Sequence, residues 1–247
     1  MAGNVGIVNV RDVSIFLDQL RAIKSSAETH ALKRVSRIGG QALKRTIEWS
    51  RQQINGHILN DFNYNYAHNH QHQLFQLHSV FNESHIAARF EFESRISGGK
   101  RIAFPSVCAS GHRATIIHYG RNDHTIQPID WILTDVGVED HDGYCCDISR
   151  TWPITTMELV DQSQHQLRLQ LYEALIKVQR RLIKSINVGE TSLDDLYRLM
   201  LSQLTQLLIE FNAFDQSVVL AAAGGANLAS LTRKICPHHV SHYIGKA

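Results

Sequence analysis

The alternation of apolar and polar positions divides the chain into helical and extended stretches with little overlap. Residues 12–24 bring Ile15, Phe16, Leu20 and Ile23 to one side of a 3.6-residue period, a short amphipathic helix. Ser25-Ser26-Ala27-Glu28 then reads as a capping box, in which the Ser25 hydroxyl accepts the Glu28 amide and Glu28 reaches back. The helix it opens is expected over residues 26–53, with Leu32, Val35, Ala42, Leu43, Ile47 and Trp49 on its apolar side. Gly39 and Gly40 each weaken its middle by about 1 kcal/mol relative to alanine, which marks either a break or close packing against another backbone. From 55 to 78 the period is lost. The centre of this stretch, residues 63–73, is rich in Asn, Gln and His and has little to bury against the entropy of ordering it, so it reads as an exposed, mobile insertion.

A further helix is expected over 83–95, followed by strands at 100–107, 114–119, 131–138 and 144–154. The polar stretch 122–130, with Pro128, connects the second strand to the third. Residues 163–185 return to a helical period through Leu167, Leu171, Leu175, Val178 and Leu182, and Asn187-Val188-Gly189 ends that element. Ser192 and Asp195 cap the next helix, whose core positions are Leu196, Leu199, Leu204, Leu207 and Leu208. Helices and antiparallel-looking strands are segregated, so the fold class is α+β rather than a repeating βαβ unit. The small-residue run 221–227 lacks the spacing and the leading strand of a phosphate loop.

Composition narrows the function. The 247 residues are 43% apolar and 19% charged, which excludes a wholly disordered chain, and a net charge of +2 gives no reason to expect nucleic acid. No run approaches the roughly 18 apolar residues of a membrane span, and the first ten residues lack a secretory signal. Arg11 is the single basic residue of the first twenty, so no transit peptide is evident. Cys108, Cys145, Cys146 and Cys236 form no Cys-x-x-Cys pair, which points to a reducing, intracellular compartment with the thiols acting as small apolar residues.

The informative chemistry lies in residues 133–153. Asp135 and Asp147 fall among strand residues, where an uncompensated carboxylate is costly. One hairpin register sets Asp135 opposite Asp147, with both on one sheet face, and two acids that close need a cation or a proton between them. A tight Asp142-Gly143 turn instead sets Asp135 opposite Arg150, an ion pair with no metal. With His242 as a third donor, the set Asp135, Asp147 and His242 suits Mn²⁺, Zn²⁺ or Co²⁺ better than Mg²⁺ or Ca²⁺. His118 reads either as a satisfied rim histidine or as a catalytic one. Ser106 lacks a nucleophile-elbow sequence, a Cys108–His118 pair has equally thin support, and His68, His70 and His72 attract metal at most adventitiously.

Five stretches carry a resemblance: residues 20–28, Ala88-Arg89-Phe90-Glu91-Phe92-Glu93, Ile117-His118-Tyr119, residues 133–153 and residues 236–245. The combination of Asp135-Val136-Gly137, Asp147-Ile148-Ser149-Arg150-Thr151-Trp152-Pro153 and Ser241-His242-Tyr243-Ile244-Gly245, in that order, resembles the pita-bread metallopeptidases, specifically Xaa-Pro aminopeptidases (aminopeptidase P) of the mitochondrial type. It covers residues 10–247 apart from the 55–78 insertion. It implies a curved antiparallel sheet covered by helices, two divalent ions, usually manganese, and removal of the first residue from peptides with proline second. The ligands it implies are two Asp, one His and two Glu. Asp135 then holds one ion, Asp147 bridges both and His242 holds the other. His118 corresponds to the histidine beside the scissile bond, and His238 to one lining the site. His239 receives no role.

The resemblance also implies an incomplete member. A further histidine, the two glutamates, the closing strands and the leading domain of full-length relatives have no counterpart among these residues. Activity is therefore expected to be impaired or absent. The alternatives are a catalytically dead peptide-binding module or a structural protein with Asp135 on Arg150. A homodimer has no specific support from the sequence, and mitochondria are favoured by resemblance alone.

Overall fold

The computed structural model describes residues 12–67, 81–155, 162–214 and 228–245, without the side chains of 56–67, 228 and 229. The chain divides into two compact units, one comprising Met1–Leu159 with Ile244–Ala247 and the other Val160–Tyr243. In the first unit lie α1 (Ser14–Ala22), α2 (Ser26–Ala67), α3 (Glu83–Ile96), β1 (Arg101–Ile102), β2 (Val107–Ser110), a 3-10 turn (Gly111–Thr115), β3 (Trp131–Val136), β4 (Val138–Glu139) and β5 (Ile148–Pro153). The second unit holds α4 (Gln162–Lys184), α5 (Leu193–Glu210) and α6 (Leu228–Ile235). Antiparallel sheets β2-β3-β5 and β1-β4 beneath helices make the fold α+β, as the sequence indicates.

The capping box at α2 forms, with Ser25 N donating to Glu28 Oε2 at 2.8 Å and Glu28 N to Ser25 Oγ at 3.3 Å. Helix α2 buries Val35, Ala42 and Leu43 with Phe90 of α3 and with Val136, Val138 and Cys146 of the sheet region. A second cluster joins Ile54, Phe81, Ile86, Cys108, Ile126, Ile132, Trp152 and Ile154. One sheet face is thereby sealed by α2 and α3. The adjacent Gly39 and Gly40 of α2 separate cleanly. A Cβ on Gly39 would lie 2.5 Å from Cys146 Sγ and 3.2 Å from Ile148 Cδ1, so the helix passes close over side chains of the hairpin, whereas Gly40 has nothing within 4 Å. No break occurs there, and the helical backbone continues past Gln53 to Ala67, through the first part of the expected insertion. His68, His70, His72 and the 221–227 run lie outside the described residues.

Two expectations fail. Residues 114–119 are not a strand. The chain turns in a 3-10 conformation, Ile116 and Ile117 are half exposed, and His118 is left-handed at φ 54°. The cause is Glu83, at 0% exposure the most deeply buried acid among the described residues. Its Oε1 accepts from Ser110 N (2.8 Å), Ser110 Oγ (2.7 Å) and Arg113 Nε (3.1 Å), and its Oε2 from Tyr119 Oη (2.7 Å) and His124 N (3.2 Å). Residues 110–124 fold around this carboxylate instead of extending. The second is the strand expected over 100–107, which is reduced to β1 at Arg101–Ile102, with β2 beginning only at Val107. Helix α1 forms as expected, with its apolar stripe open: Phe16 is 66% and Leu20 76% exposed.

The second unit follows the pattern more closely. Ser192 caps α5 reciprocally with Asp195, and Leu196, Tyr197, Met200, Leu201 and Leu207 are its buried positions. Leu199, Leu204 and Leu208 are only partly buried, because the inward stripe is turned toward Tyr197 and Met200. All four cysteines are free, and among the described residues no helix is long and apolar enough to cross a membrane.

Gly40→Ala should stabilise the first unit by about 0.5–1 kcal/mol, while Gly39→Ala should cost about 1–3 kcal/mol through overpacking against Cys146. Urea unfolding followed by tryptophan fluorescence checks both, since Trp49, Trp131 and Trp152 all belong to that unit. Equal effects at the two sites would refute the close passage over the hairpin.

Glu83 supplies a second expectation. Burial alone pushes its pKa up, but the bonds from Ser110, Tyr119 and Arg113 outweigh burial and leave it below the ordinary 4.5. A depressed folded pKa means that stability is present above about pH 4.5 and is lost as pH falls through the folded value. Glu83→Gln should cost about 2–4 kcal/mol at pH 7 and flatten the decline in stability below pH 4.5. An unchanged acid limb in the same urea titration contradicts this reading.

Candidate functional site

The β3–β5 hairpin turns through three residues. Asp140 N donates to Tyr144 O (2.9 Å), Gly143 N to Asp140 O (3.1 Å), and Gly143 takes a left-handed φ of 83°, the three-residue loop with a left-handed glycine. Asp140 Oδ1 accepts the amides of Asp142 and Tyr144, each at 3.0 Å, and Oδ2 accepts Arg34 Nη2 at 2.6 Å. Burial raises the pKa of Asp140, and Arg34 with the turn amides brings it below the usual carboxylate range.

This turn yields neither of the two registers considered from sequence. Asp135 lies opposite Ser149, Thr134 opposite Arg150, and Val136 opposite Ile148. The same register, continued by the Glu139–Cys145 bridge, sets Asp147 opposite Gly137. Asp135 and Asp147 are therefore diagonal neighbours, roughly 7–8 Å apart by sheet geometry. Both face away from the helices, because the residues flanking them, Thr134 and Val136, Cys146 and Ile148, lie on the side packed against α2 and α3. Arg150 falls on the opposite face from Asp135 and donates from Nη1 to Ser149 O at 2.7 Å. The Asp135–Arg150 pair expected under the structural-protein alternative does not form. Asp135 instead accepts from Ser149 Oγ at 2.7 Å.

The same face carries the His118 loop. Val107, the β2 neighbour of Asp135, packs with Ala109, Leu133, Ala114 and the buried ring of Tyr119. Tyr119 thus seats the loop on the sheet while its hydroxyl is held by Glu83. Burial and that hydrogen bond push its pKa up to about 12. His118, next in the chain and exposed, is presented from a conformation unusual for a residue with a Cβ. Cys108 is buried with its thiol pushed up to about 12, chiefly by burial, so it remains a protonated core residue and not a nucleophile. Ser106 is buried and its carbonyl accepts Asn122 Nδ2 at 2.7 Å, with no arrangement resembling a triad.

His238 and His242 belong to the second unit. Both are exposed. His238 Nδ1 lies 2.7 Å from His239 O, and His242 Nδ1 lies 2.9 Å from Tyr243 O. Among the described residues no group of three or more His, Cys, Asp or Glu side chains is gathered to hold a metal ion. Two hard carboxylates on one open face fit part of a divalent-ion site, and they supply two of the five side chains that a dinuclear centre of the resembled kind requires.

Sequence reasoning missed Glu83, Ser149 and the anchoring role of Tyr119. Glu83 sits in the first turn of a helix, where an acid is ordinary, and nothing local announces its burial. Ser149 follows only once the register is known.

Residues 30–247 match metallopeptidase family M24. Human Xaa-Pro aminopeptidase 3 is 30% identical over 236 residues, covering 96% of this chain and 38% of that protein. The Arabidopsis thaliana protein named Intermediate cleaving peptidase 55, mitochondrial, is 28% identical over 238 residues, again 96% and 38%. The crystal structure of Saccharomyces cerevisiae Icp55 bound to the apstatin inhibitor has a TM-score of 0.66 at 24% identity, covering 94% of this chain and 46% of that one. That likeness shows the fold, so the antiparallel sheets beneath helices are the corresponding part of a pita-bread architecture. The chain spans 38% of the length of these curated relatives. With most of its residues matched by one family, the chain belongs to metallopeptidase family M24.

Proposed function

We propose that this chain is part of the catalytic domain, residues 10–247, of a metal-dependent aminopeptidase acting on peptides with proline in second position. The observation that carries the reading is the pair Asp135 and Asp147 on one sheet face beneath the loop bearing His118. Asp135, Asp147 and His242 are the residues that would hold the metal. His118 and His238 are the groups that place the substrate and handle protons. The name of the human relative supports the substrate class, and that of the Arabidopsis relative a mitochondrial setting.

A pair of divalent ions, Mn²⁺ or alternatively Zn²⁺ or Co²⁺, supplies a water of lowered pKa and a clamp for the reacting oxygens when bound. The protein side of the reaction follows from the side chains. Ser149 Oγ donates to Asp135 Oδ1, which leaves Asp135 Oδ2 available and holds the carboxylate in one orientation. Tyr119, tied to Glu83, holds His118 at the edge of this face, where its ring can donate to a substrate carbonyl or hand a proton to the leaving proline nitrogen. An X-Pro bond lacks an N–H, so selection rests on ring fit instead of an amide hydrogen bond. The two glutamates implied by the resemblance are not among these residues. As an isolated polypeptide the chain is therefore expected to bind one ion weakly and to turn over little.

Calorimetric titration with Co²⁺ should show one weak site, weakened at least about tenfold by Asp147→Ala or Asp135→Ala. With Mn²⁺ and an X-Pro-peptide, release of the first residue should stay at the blank rate. Joining the chain to the remaining C-terminal region of the human relative should restore release, and Asp147→Ala should abolish it. Equal Co²⁺ affinity in the aspartate variants removes the proposed ligands, and peptide binding by the joined protein without turnover replaces the enzyme by a binding module.

A further inference from the structure

Within the second unit, one aromatic side chain controls the histidine-bearing segment. Tyr197, one turn into α5, is 3% exposed and packs with Met200, Leu201, Leu182, Leu204 and Cys236. Its hydroxyl donates to Cys236 O at 3.1 Å. Its ring stacks on His239, with centroids 4.5 Å apart and planes inclined by 35°. The Arg233 guanidinium, in the last turn of α6, lies 5.4 Å from the same ring centroid.

The run from Cys236 to His239 is therefore fastened at both ends to one side chain. Upstream, Cys236 N closes on Thr232 O at 2.8 Å, and Thr232 Oγ1 lies 2.6 Å from Thr205 Oγ1 of α5. The anchor is thus continuous with the α5–α6 packing. Pro237 removes a further backbone freedom between the two fastened points. His238 lies between the two fastened points, with its exposed ring placing Nδ1 2.7 Å from His239 O and its own carbonyl facing Cys236 Sγ at 4.0 Å.

We propose that Tyr197 is the positioning residue for His238: by gripping Cys236 through its hydroxyl and His239 through its ring, it fixes the direction in which His238 leaves the turn. His239, which has no chemical assignment, acquires one here as the second foothold. The proposal deepens the reading of His238 as a site residue and rests on that reading for its functional meaning, but the grip itself is testable without it. A tyrosine suits the task because one rigid side chain with two rotatable angles offers both a stacking face and a donor.

The test uses the full chain labelled with ¹³C-histidine, with the His238 and His239 ring signals assigned through His238→Gln and His239→Gln. In the native chain the His239 ring protons should be shifted upfield by the Tyr197 stack. Tyr197→Phe keeps the stack and loses the Cys236 tether, so His239 should stay shifted while His238 moves. Tyr197→Leu should bring both to the positions of exposed histidines with helical circular dichroism retained. An unmoved His238 signal in both variants overturns the proposal. If the leucine variant does not fold, an unmoved His238 signal in the phenylalanine variant overturns it alone. Co²⁺ titration separates the two layers. Weakening of about tenfold in Tyr197→Leu, alongside loss in His242→Ala, extends the positioning to the metal-binding segment. Undiminished affinity in His242→Ala refutes the metal reading and leaves the grip on His238 standing.

Discussion

The carboxylate of Asp140 closes the hairpin turn with both oxygens occupied, one by two turn amides and the other by Arg34, and the register of β3 against β5 follows from that closure. Side chains in a sheet alternate between faces, so a slip of a single residue on one strand would carry Asp147 to the helix-packed side and leave Asp135 without a neighbouring acid. Arg34 is half exposed and Asp140 is buried. The charge pair is therefore stronger than a surface bridge yet avoids the full desolvation cost of a buried one. Arg34 sits on α2, so the helix that seals one face of the sheet also sets which acids occupy the other.

A second constraint shapes the rim of that face. Burying an ionised carboxylate costs several kcal/mol after relaxation, and Glu83 meets that cost with five donors. Hydrogen bonds to a charged group contribute about 1.5–3 kcal/mol each, so the set exceeds the cost, consistent with a pKa below the ordinary value despite burial. The surplus is spent on local geometry. It overrides the extended preference of Thr115, Ile116 and Ile117 and leaves two isoleucines half exposed. His118 stands in a left-handed conformation at the end of this path.

These two constraints explain what could and could not be read from the residues in order. The sequence offers two registers of opposite parity, and the observed one shares its parity with the alternative that sets Asp135 and Asp147 on one face. Neither alternative names the partner correctly, because Gly143 completes a three-residue turn instead of the two-residue Asp142-Gly143 turn or the loop of the other register. Helix starts were legible where capping is reciprocal and local, at Ser25 and Ser192. The span 114–119 was misread because its apolar run is a local signal, while the carboxylate that reorganises it lies about thirty residues earlier. For Gly39 and Gly40 the sequence allows a break or close packing without distinguishing the two residues, and only Gly39 packs closely, against the Cys146 side chain and not a backbone. The engagement of Tyr197 with His239 joins α5 to a segment some forty residues away and left no trace in the periodicity of either.

The energetics of the acidic pair decide what state the sheet adopts without an ion. At roughly 7 Å, two carboxylates repel by about 0.6 kcal/mol in water and about 2 kcal/mol at an effective dielectric near 20. Asp147 is exposed and Asp135 is partly so, with one oxygen satisfied by Ser149. The repulsion is therefore nearer the lower figure, small beside the stability of a domain. The fold tolerates both charges together and does not need a cation to form. An ion then gains from a pair already held on one face, and its affinity is set by how many further donors join Asp135 and Asp147, not by any strain that the two acids store.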